Sequence, residues 1–182
     1  MNILAIPASN SSSSINRALI NLAAARLTAA DPAVTVEIVD INDFEMPIYS
    51  SDREAANGVP QLAKDLLALI GGADAVVIAF PEHNGGVPAA WKNIFDWMSR
   101  VEFKVWQGKP VVMLSASPGG RAGANVLAGQ EAIAGFYAAE LVGVQGFGNW
   151  GEAWDAETGS FTSHVDLAKL DDVLTKLLPV AA

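Results

Sequence analysis

The chain has 182 residues, 51% hydrophobic and 17% charged, which is typical of one globular domain with a buried core. Its formal net charge of −9 argues against nucleic acids and anionic membranes as partners. The absence of cysteine excludes disulfides, thiolate catalysis, iron–sulfur clusters and thiolate zinc sites.

The first half of the chain alternates between strand and helix patterns. A continuous apolar run over residues 2 to 8 predicts a strand buried on both faces, and it is too short and lacks the basic flank of a signal peptide. From Ile15 apolar residues recur at helical spacing until Asp31-Pro32. Residues 34 to 39 alternate as a second strand, and a polar loop precedes a helix near 59–71. A soluble, cytoplasmic protein is expected.

The second half continues the same alternation. A wholly apolar strand is predicted over residues 75 to 80, followed by a helix that contains Trp91 and Met98. The remaining predicted elements are a strand over 111–116, a helix near 123–140, a weaker strand over 141–147 and a helix near 164–178.

Five strands alternating with helices predict a single α/β domain over residues 1–182. The best fit is a flavodoxin-like three-layer sandwich with a five-stranded parallel sheet in the order 2-1-3-4-5. Ligands of such sheets lie beyond the carboxyl ends of the strands, at the switch point beside strands 1 and 3. The loops after residues 8, 80 and 116 are therefore the candidate binding loops.

Serine dominates the first of these loops: Ser9 and Ser11 to Ser14 fill five of six consecutive positions. Unpaired N–H groups at a helix start attract anions, and hydroxyls add donors without adding charge. The simpler alternative is that Ser14 or a neighbour is only an N-cap. The cluster contains no Lys or Arg, and the chain has no GxxxxGK[ST] pattern, which argues against a triphosphate with magnesium. The pattern favours a single phosphate held by neutral donors.

The other two loops are rich in glycine. Residues 81–86 (PEHNGG) either face a flat polar ring or form a turn in which Gly85-Gly86 take positive φ. Residues 115–120 (SASPGG) allow close approach of a ligand to the backbone, or form a tight turn. The literal GxGxxG at residues 146–151 precedes no apolar helix, and we interpret it as a coincidental match.

No residue stands out as a catalytic acid, base or nucleophile. His83 and His164 have no metal-pair spacing, and His164 is expected to open the last helix at the surface. No GxSxG motif is present, and the first strand lacks the acidic pair of a receiver domain. We therefore predict no catalytic side chain and no metal, which suits an enzyme whose cofactor carries the chemistry.

Three segments together resemble one family: SNSSSSINRAL (9–19), PEHNGGVPAAWKNIFDW (81–97) and SASPGGRAGAN (115–125). The chain is similar to the NAD(P)H-dependent FMN reductases, flavodoxin-like enzymes that include quinone, azo-dye and chromate reductases. The resemblance implies FMN as cofactor, NADPH or NADH as electron donor, and transfer through flavin N5 to free flavin, a quinone, an azo compound or a metal oxyanion. It also implies a homodimer or homotetramer with the flavin near a subunit boundary, where Trp91 and Trp97 either contribute or are plain core.

The resemblance also assigns site residues. The segment that holds the FMN phosphate matches Ser9, Ser11, Ser14, Ile15 and Asn16. The segment along the isoalloxazine ring matches Pro81, Glu82, His83, Asn84 and Gly85. The loop at the pyrimidine edge matches Ser115, Ser117, Pro118, Gly119 and Gly120.

The sequence departs from the family pattern at two places. Many members have Gly at the position of Ala8 and a basic residue in the phosphate loop, whereas the loop of this chain contains only Ser and Asn. In the family pattern Pro-Glu-Tyr-Asn, His83 stands in place of the Tyr. Arg121 is either a contact for a nucleotide phosphate or a solvated surface residue. Two other functions remain open at this point: a flavodoxin-type electron carrier without NAD(P)H oxidation, and an α/β module that binds another phosphorylated ligand.

Overall fold

Five parallel strands in the order β2-β1-β3-β4-β5 form the centre of the protein, as predicted, in a computed structural model that describes residues 1–179. The strands are β1 (Asn2–Pro7), β2 (Thr35–Ile38), β3 (Ala75–Ala79), β4 (Pro110–Ala116) and β5 (Glu140–Phe147). The main helices are α1 (Ile15–Ala30), α2 (Ser51–Asn57), α3 (Gln61–Gly72), α4 (Ala89–Val101) and α5 (Ala124–Ala134). A short helix α6 (Trp150–Ala153), a hairpin of β6 (Trp154–Asp155) and β7 (Ser160–Phe161), and α7 (His164–Leu174) complete the chain.

The sheet is covered on both faces, which explains the continuous apolar runs of its central strands. Along β1, Ile3 and Ala5 face the core beneath α1 and α7, whereas Leu4 and Ile6 face the core beneath α3, α4 and α5. Parallel crossovers then bring the carboxyl ends of β1, β3 and β4 side by side at one edge of the sheet. That edge carries the three candidate loops.

Several elements differ from the sequence prediction, among them the short α6 and the β6–β7 hairpin, which were not predicted. Helix α2 was not predicted, because none of its residues is buried and it therefore shows no apolar period. Helix α5 ends at Ala134 instead of near residue 140. The cause is tertiary: the carbonyls of Tyr137 and Ala138 accept hydrogen bonds from the N–H groups of Trp106 (3.1 Å) and Gly108 (2.8 Å).

The tryptophans of α4 belong to the core. Trp91 and Trp97 are each 1% exposed, and Trp91 stacks on Trp106 with ring centroids 6.4 Å apart. The indole N–H of Trp97 donates to the Pro47 carbonyl at 2.7 Å, which fixes the segment after β2 against α4. Of the two alternatives for these residues, the core is the one that the structure shows.

Candidate functional site

Three loops meet at the carboxyl edge of the sheet: loop 1 (residues 8–14), loop 2 (residues 80–88) and loop 3 (residues 117–123). The ladder of the sheet extends into them, because Ala8 N–H donates to the Ala79 carbonyl at 2.9 Å and Phe80 N–H donates to the Leu114 carbonyl at 2.8 Å. The strand order therefore brings together the three segments that the sequence singled out.

Loop 1 combines a helix cap with exposed hydroxyls. The Ser14 side chain is the N-cap of α1 and accepts from Arg17 N–H at 3.3 Å, while Ser9 is 5% exposed and its Oγ accepts from Ser11 N–H at 3.3 Å. Ser11, Ser12 and Ser13 are exposed at the tip. The simpler alternative, an N-cap, thus accounts for Ser14 but not for the other hydroxyls.

The backbone of loop 1 is suited to an anion. Within residues 1–179, the N–H groups of Ser12, Ser13, Ile15 and Asn16 have no hydrogen-bond acceptor. The first turn of α1 contains no acidic residue that would compete for them. Since α1 also directs the positive end of its dipole to this point, loop 1 forms a neutral cradle for a phosphate-like group.

Arg17 is a residue near loop 1 that the sequence analysis missed. Its guanidinium pairs with Asp40 at 2.8 Å, so the basic charge one turn into α1 is offset locally. The pKa of Asp40 lies below its usual value, first because Asn42 N–H donates to it and further because of the Asn42 amide and Arg17. The available signal was that Arg17 is the one basic residue of SNSSSSINRAL.

The side chain of Asn16 has a structural role. The residue is 2% exposed, and its amide donates to the Ala116 carbonyl at 3.0 Å and accepts from Ala116 N–H at 2.8 Å. Its side chain therefore ties the start of α1 to the end of β4. Its backbone N–H remains directed to loop 1, so contact with a phosphate through that group stays a prediction.

Loop 2 is a tight turn that also exposes backbone donors. His83 N–H donates to the Gly86 carbonyl at 2.9 Å and Gly86 N–H donates to the His83 carbonyl at 3.1 Å. Positive φ occurs at Asn84 (53°) and Gly85 (81°), one position earlier than the expected glycine pair. Asn-Gly is the preferred pair for a type I′ turn. In the described chain the N–H groups of Asn84 and Gly85 have no acceptor, so the turn and ligand-loop interpretations are compatible.

Glu82 links loop 2 to α5. Its carboxylate accepts from the N–H groups of Asn125 (2.9 Å) and Val126 (3.0 Å), in the first turn of that helix. The Glu82 side chain is half-buried beside Pro81, which is buried. A contact between Glu82 and a flavin ring stays a prediction.

Ser115 lies beneath the site. It is fully buried, and its hydroxyl donates to the Phe80 carbonyl at 2.7 Å. No part of this side chain reaches the surface, and the place of Ser115 at the pyrimidine edge of a flavin stays a prediction. Ser115 holds the base of loop 2 against the end of β4.

Loop 3 offers its backbone above Ser115. The Ser117 hydroxyl donates to the Gly119 carbonyl at 2.8 Å, and the Ser117 carbonyl accepts from Trp150 N–H at 3.2 Å. Three successive N–H groups, those of Gly119, Gly120 and Arg121, have no acceptor in residues 1–179. Pro118, Gly119 and Gly120 are exposed, and the exposed Arg121 donates to Asn125 Oδ1 at 2.8 Å.

The GxGxxG sequence supports loop 3 and opens no long helix. A Cβ added at Gly146 would lie 2.2 Å from the Ala122 carbonyl oxygen, and one at Gly148 would lie 2.9 Å from the Gly119 carbonyl oxygen. Helix α6, which follows, has four residues. These glycines thus let loop 3 pack on the end of β5, which agrees with the interpretation of a coincidental match.

The described part of the chain was also searched for a metal site and for a membrane-spanning helix. Residues 1–179 contain no group of three His, Cys, Asp or Glu side chains placed to hold a metal ion. None of the helices in that range has the length and apolar character to cross a membrane. His164 begins α7 and is exposed, as predicted.

Comparison with known proteins gives a consistent result. The sequence model of a family described as NADPH-dependent FMN reductase matches residues 1–153, a range that includes all three loops. A quinone reductase of Escherichia coli K12 is 38% identical over 81 residues, which cover 44% of this chain and 43% of that protein. An NAD(P)H-dependent FMN reductase of Pseudomonas aeruginosa is 33% identical over 117 residues, 64% of this chain and 60% of that protein. The matches thus span only part of these curated relatives.

A solved structure confirms the predicted fold class. The flavoenzyme NAD(P)H:(acceptor) oxidoreductase FerB of Paracoccus denitrificans superposes with a TM-score of 0.75 at 24% sequence identity. The alignment covers 97% of this chain and 94% of that chain.

Proposed function

Because the chain belongs to the NADPH-dependent FMN reductase family, we propose that it binds FMN and uses NAD(P)H to reduce a small acceptor. The family inferred from the three motif segments is confirmed. The quinone reductase and the FMN reductase among the relatives support the proposal that the chain is an oxidoreductase. The proposed acceptors are free flavin, quinones, azo compounds or metal oxyanions.

One observation carries the proposal: three adjacent loops all present backbone N–H groups without an acceptor within residues 1–179. FMN consists of a compact anionic phosphate, a flexible polyol and a planar ring with a polar edge. Loop 1 provides hydroxyls and helix-start N–H groups for the phosphate, and loops 2 and 3 provide backbone N–H groups for the ring edge. The residues present therefore fit this cofactor.

When bound, FMN supplies a ring that accepts a hydride from the nicotinamide and passes electrons to the acceptor. The protein holds and orients it. The N–H groups of Asn84, Gly85, Gly119 and Gly120 are fixed donors that stabilise negative charge at the ring edge. The exposed His83 stands just before the turn of loop 2, where it shapes the approach of the acceptor. No side chain is assigned the role of a general acid or base.

The test is steady-state oxidation of NADPH and of NADH by the protein reconstituted with FMN, with menadione as the quinone acceptor. We expect FMN to bind and both a flavin spectrum and catalytic nucleotide oxidation to appear. A protein that binds FMN but oxidises neither nucleotide would be an electron carrier, which contradicts the proposal. If the protein left the FMN spectrum unchanged, both FMN binding and the proposed activity would be contradicted.

We also infer that the chain acts as a homodimer or homotetramer. An exposed aromatic pair supports this inference: Phe103 is 49% and Phe136 is 65% exposed, with ring centroids 4.9 Å apart. The molar mass from light scattering tests it, and a monomer would contradict it. A cytoplasmic location, and the lack of nucleic-acid and membrane partners, stay predictions.

A further inference from the structure

We propose that Glu82 is a positioning residue whose carboxylate sets the spacing between loops 2 and 3 by binding the first turn of α5. This inference rests on the proposed function, since FMN is placed against these two loops. It gives Glu82 a role that is distinct from direct contact with the ring.

The geometry is that of a helix cap supplied from another loop. Glu82 Oε2 accepts from the N–H groups of Asn125 (2.9 Å) and Val126 (3.0 Å), and Oε1 accepts from the Asn125 side-chain amide at 3.3 Å. The N-cap position of α5 is Gly123, which has φ 69° and no side chain to offer. Because helix-start N–H groups need acceptors, the helix uses a carboxylate 43 residues away in sequence.

Further contacts converge on the same junction. Asn125 Oδ1 accepts from Arg121 of loop 3 at 2.8 Å. The Asn125 side chain also lies close to Gly85 of loop 2, since a Cβ built at Gly85 would be 3.7 Å from Asn125 Nδ2. Below them, Ser115 bonds the Phe80 carbonyl at 2.7 Å. Loop 2 is therefore joined to the two elements that flank loop 3: to the end of β4 by Ser115 in the core and to the start of α5 by the half-buried Glu82.

The same contact has an electrostatic consequence. The start of a helix carries a positive partial charge of about half a unit, and the Glu82 carboxylate offsets it at α5. The positive end of α5, next to loop 3, is thus covered by the negative charge of the Glu82 carboxylate. Such a charge disfavours additional negative charge on a reduced flavin, so Glu82 lowers the midpoint potential of bound FMN.

The first experiment needs no cofactor. Amide hydrogen exchange of the apoprotein is measured by NMR for the wild type, Glu82→Gln and Glu82→Ala. We expect Asn125 and Val126 to exchange about tenfold faster in Glu82→Ala, and less than that in Glu82→Gln, which keeps one acceptor oxygen. The control is Ser163→Ala, which removes the cap of α7, whose Oγ accepts from Val165 N–H at 3.1 Å. Unchanged exchange at Asn125 and Val126 in Glu82→Ala would overturn the proposal.

The second experiment uses the FMN complex. We expect the Kd for FMN to rise about tenfold in Glu82→Ala and less in Glu82→Gln, and the midpoint potential to become more positive in both. Ser163→Ala should change neither quantity. Faster amide exchange with unaltered FMN affinity and potential would make Glu82 a helix cap only, which overturns the positioning role. A wild type that fails to bind FMN would contradict the proposed function and with it the positioning role, and amide exchange would still decide whether Glu82 caps α5.

Discussion

Loop 1 differs from loops 2 and 3 in how its polar groups are used. In loop 1 the hydroxyls at the tip, from Ser11 to Ser13, are exposed, with one weak contact of 3.5 Å between Ser11 and Ser13. At loops 2 and 3 three polar side chains are instead bonded within the protein: Glu82 to α5, Ser117 to Gly119 and, beneath loop 3, Ser115 to Phe80. Loops 2 and 3 present backbone N–H groups outward, beside the exposed side chains of His83, Asn84 and Arg121.

The contrast indicates two kinds of recognition. A phosphate is compact and charged, so several rotatable hydroxyls around a helix start can adapt to it. A planar ring needs donors at fixed positions, and backbone groups are fixed when the side chains around them hold the loop. Changes in loop 1 should therefore alter affinity alone, whereas changes beneath loop 3 should also alter stability.

The largest effect is expected from Gly146→Ala. The new Cβ would lie 2.2 Å from the Ala122 carbonyl oxygen, so loop 3 has to move off the end of β5. We expect a loss of about 2–3 kcal/mol in the free energy of unfolding, measured with urea, together with weaker FMN binding.

A matched glycine provides the control. Gly129 lies within α5, and a Cβ there would meet no atom within 4 Å. Gly129→Ala should stabilise the protein by about 0.5–1 kcal/mol through its higher helix propensity, without a change in FMN affinity. If both variants had the same stability, the close packing of loop 3 on β5 would be refuted.

An intermediate effect is expected from Ser12→Asp at the tip of loop 1. The new carboxylate would repel the phosphate, and we expect FMN affinity to fall about tenfold while the free energy of unfolding changes by less than about 0.5 kcal/mol. Fluorescence titration with FMN and with riboflavin measures the difference, because riboflavin lacks the phosphate. Ser12→Ala, which adds no charge, is the control and should weaken FMN binding less. An equal loss of riboflavin affinity would show that the phosphate does not lie at loop 1.

Much of this arrangement was accessible from the sequence, because the relevant signals are local. Apolar runs gave the strands, their alternation gave the sheet order, and the serine run and glycine turns marked the three loops. The roles of individual polar side chains were not accessible. Asn16 contacts a residue 100 positions away, Ser115 one 35 away and Glu82 one 43 away. Sequence reasoning placed all three at a ligand because they stand in binding segments, whereas their partners are set only by the folded loops.

The smallest effect concerns the charge pair beside loop 1, and it appears in the pH dependence of stability. The folded protein favours ionised Asp40, whose pKa is held below its usual value first by Asn42 N–H at 2.9 Å, then by the Asn42 amide and by Arg17. The resulting stabilisation is fully present above the unfolded pKa of about 3.9 and is lost as the pH falls through the lower folded value. Asp40→Asn should therefore be less stable than the wild type at pH 6, with a difference that shrinks below about pH 4.

The size of that difference is limited, because the Asp40 side chain is 40% exposed and solvent screens its pairing with Arg17. We expect the free energy of unfolding of Asp40→Asn, measured with urea between pH 3 and pH 6, to differ from that of the wild type by less than about 1 kcal/mol. Arg17→Met should reproduce only a part of it, since the bonds from Asn42 have the larger effect on Asp40. If Arg17→Met removed the whole pH-dependent difference, the arginine would control this carboxylate, and loop 1 would depend on a charge as well as on its neutral donors.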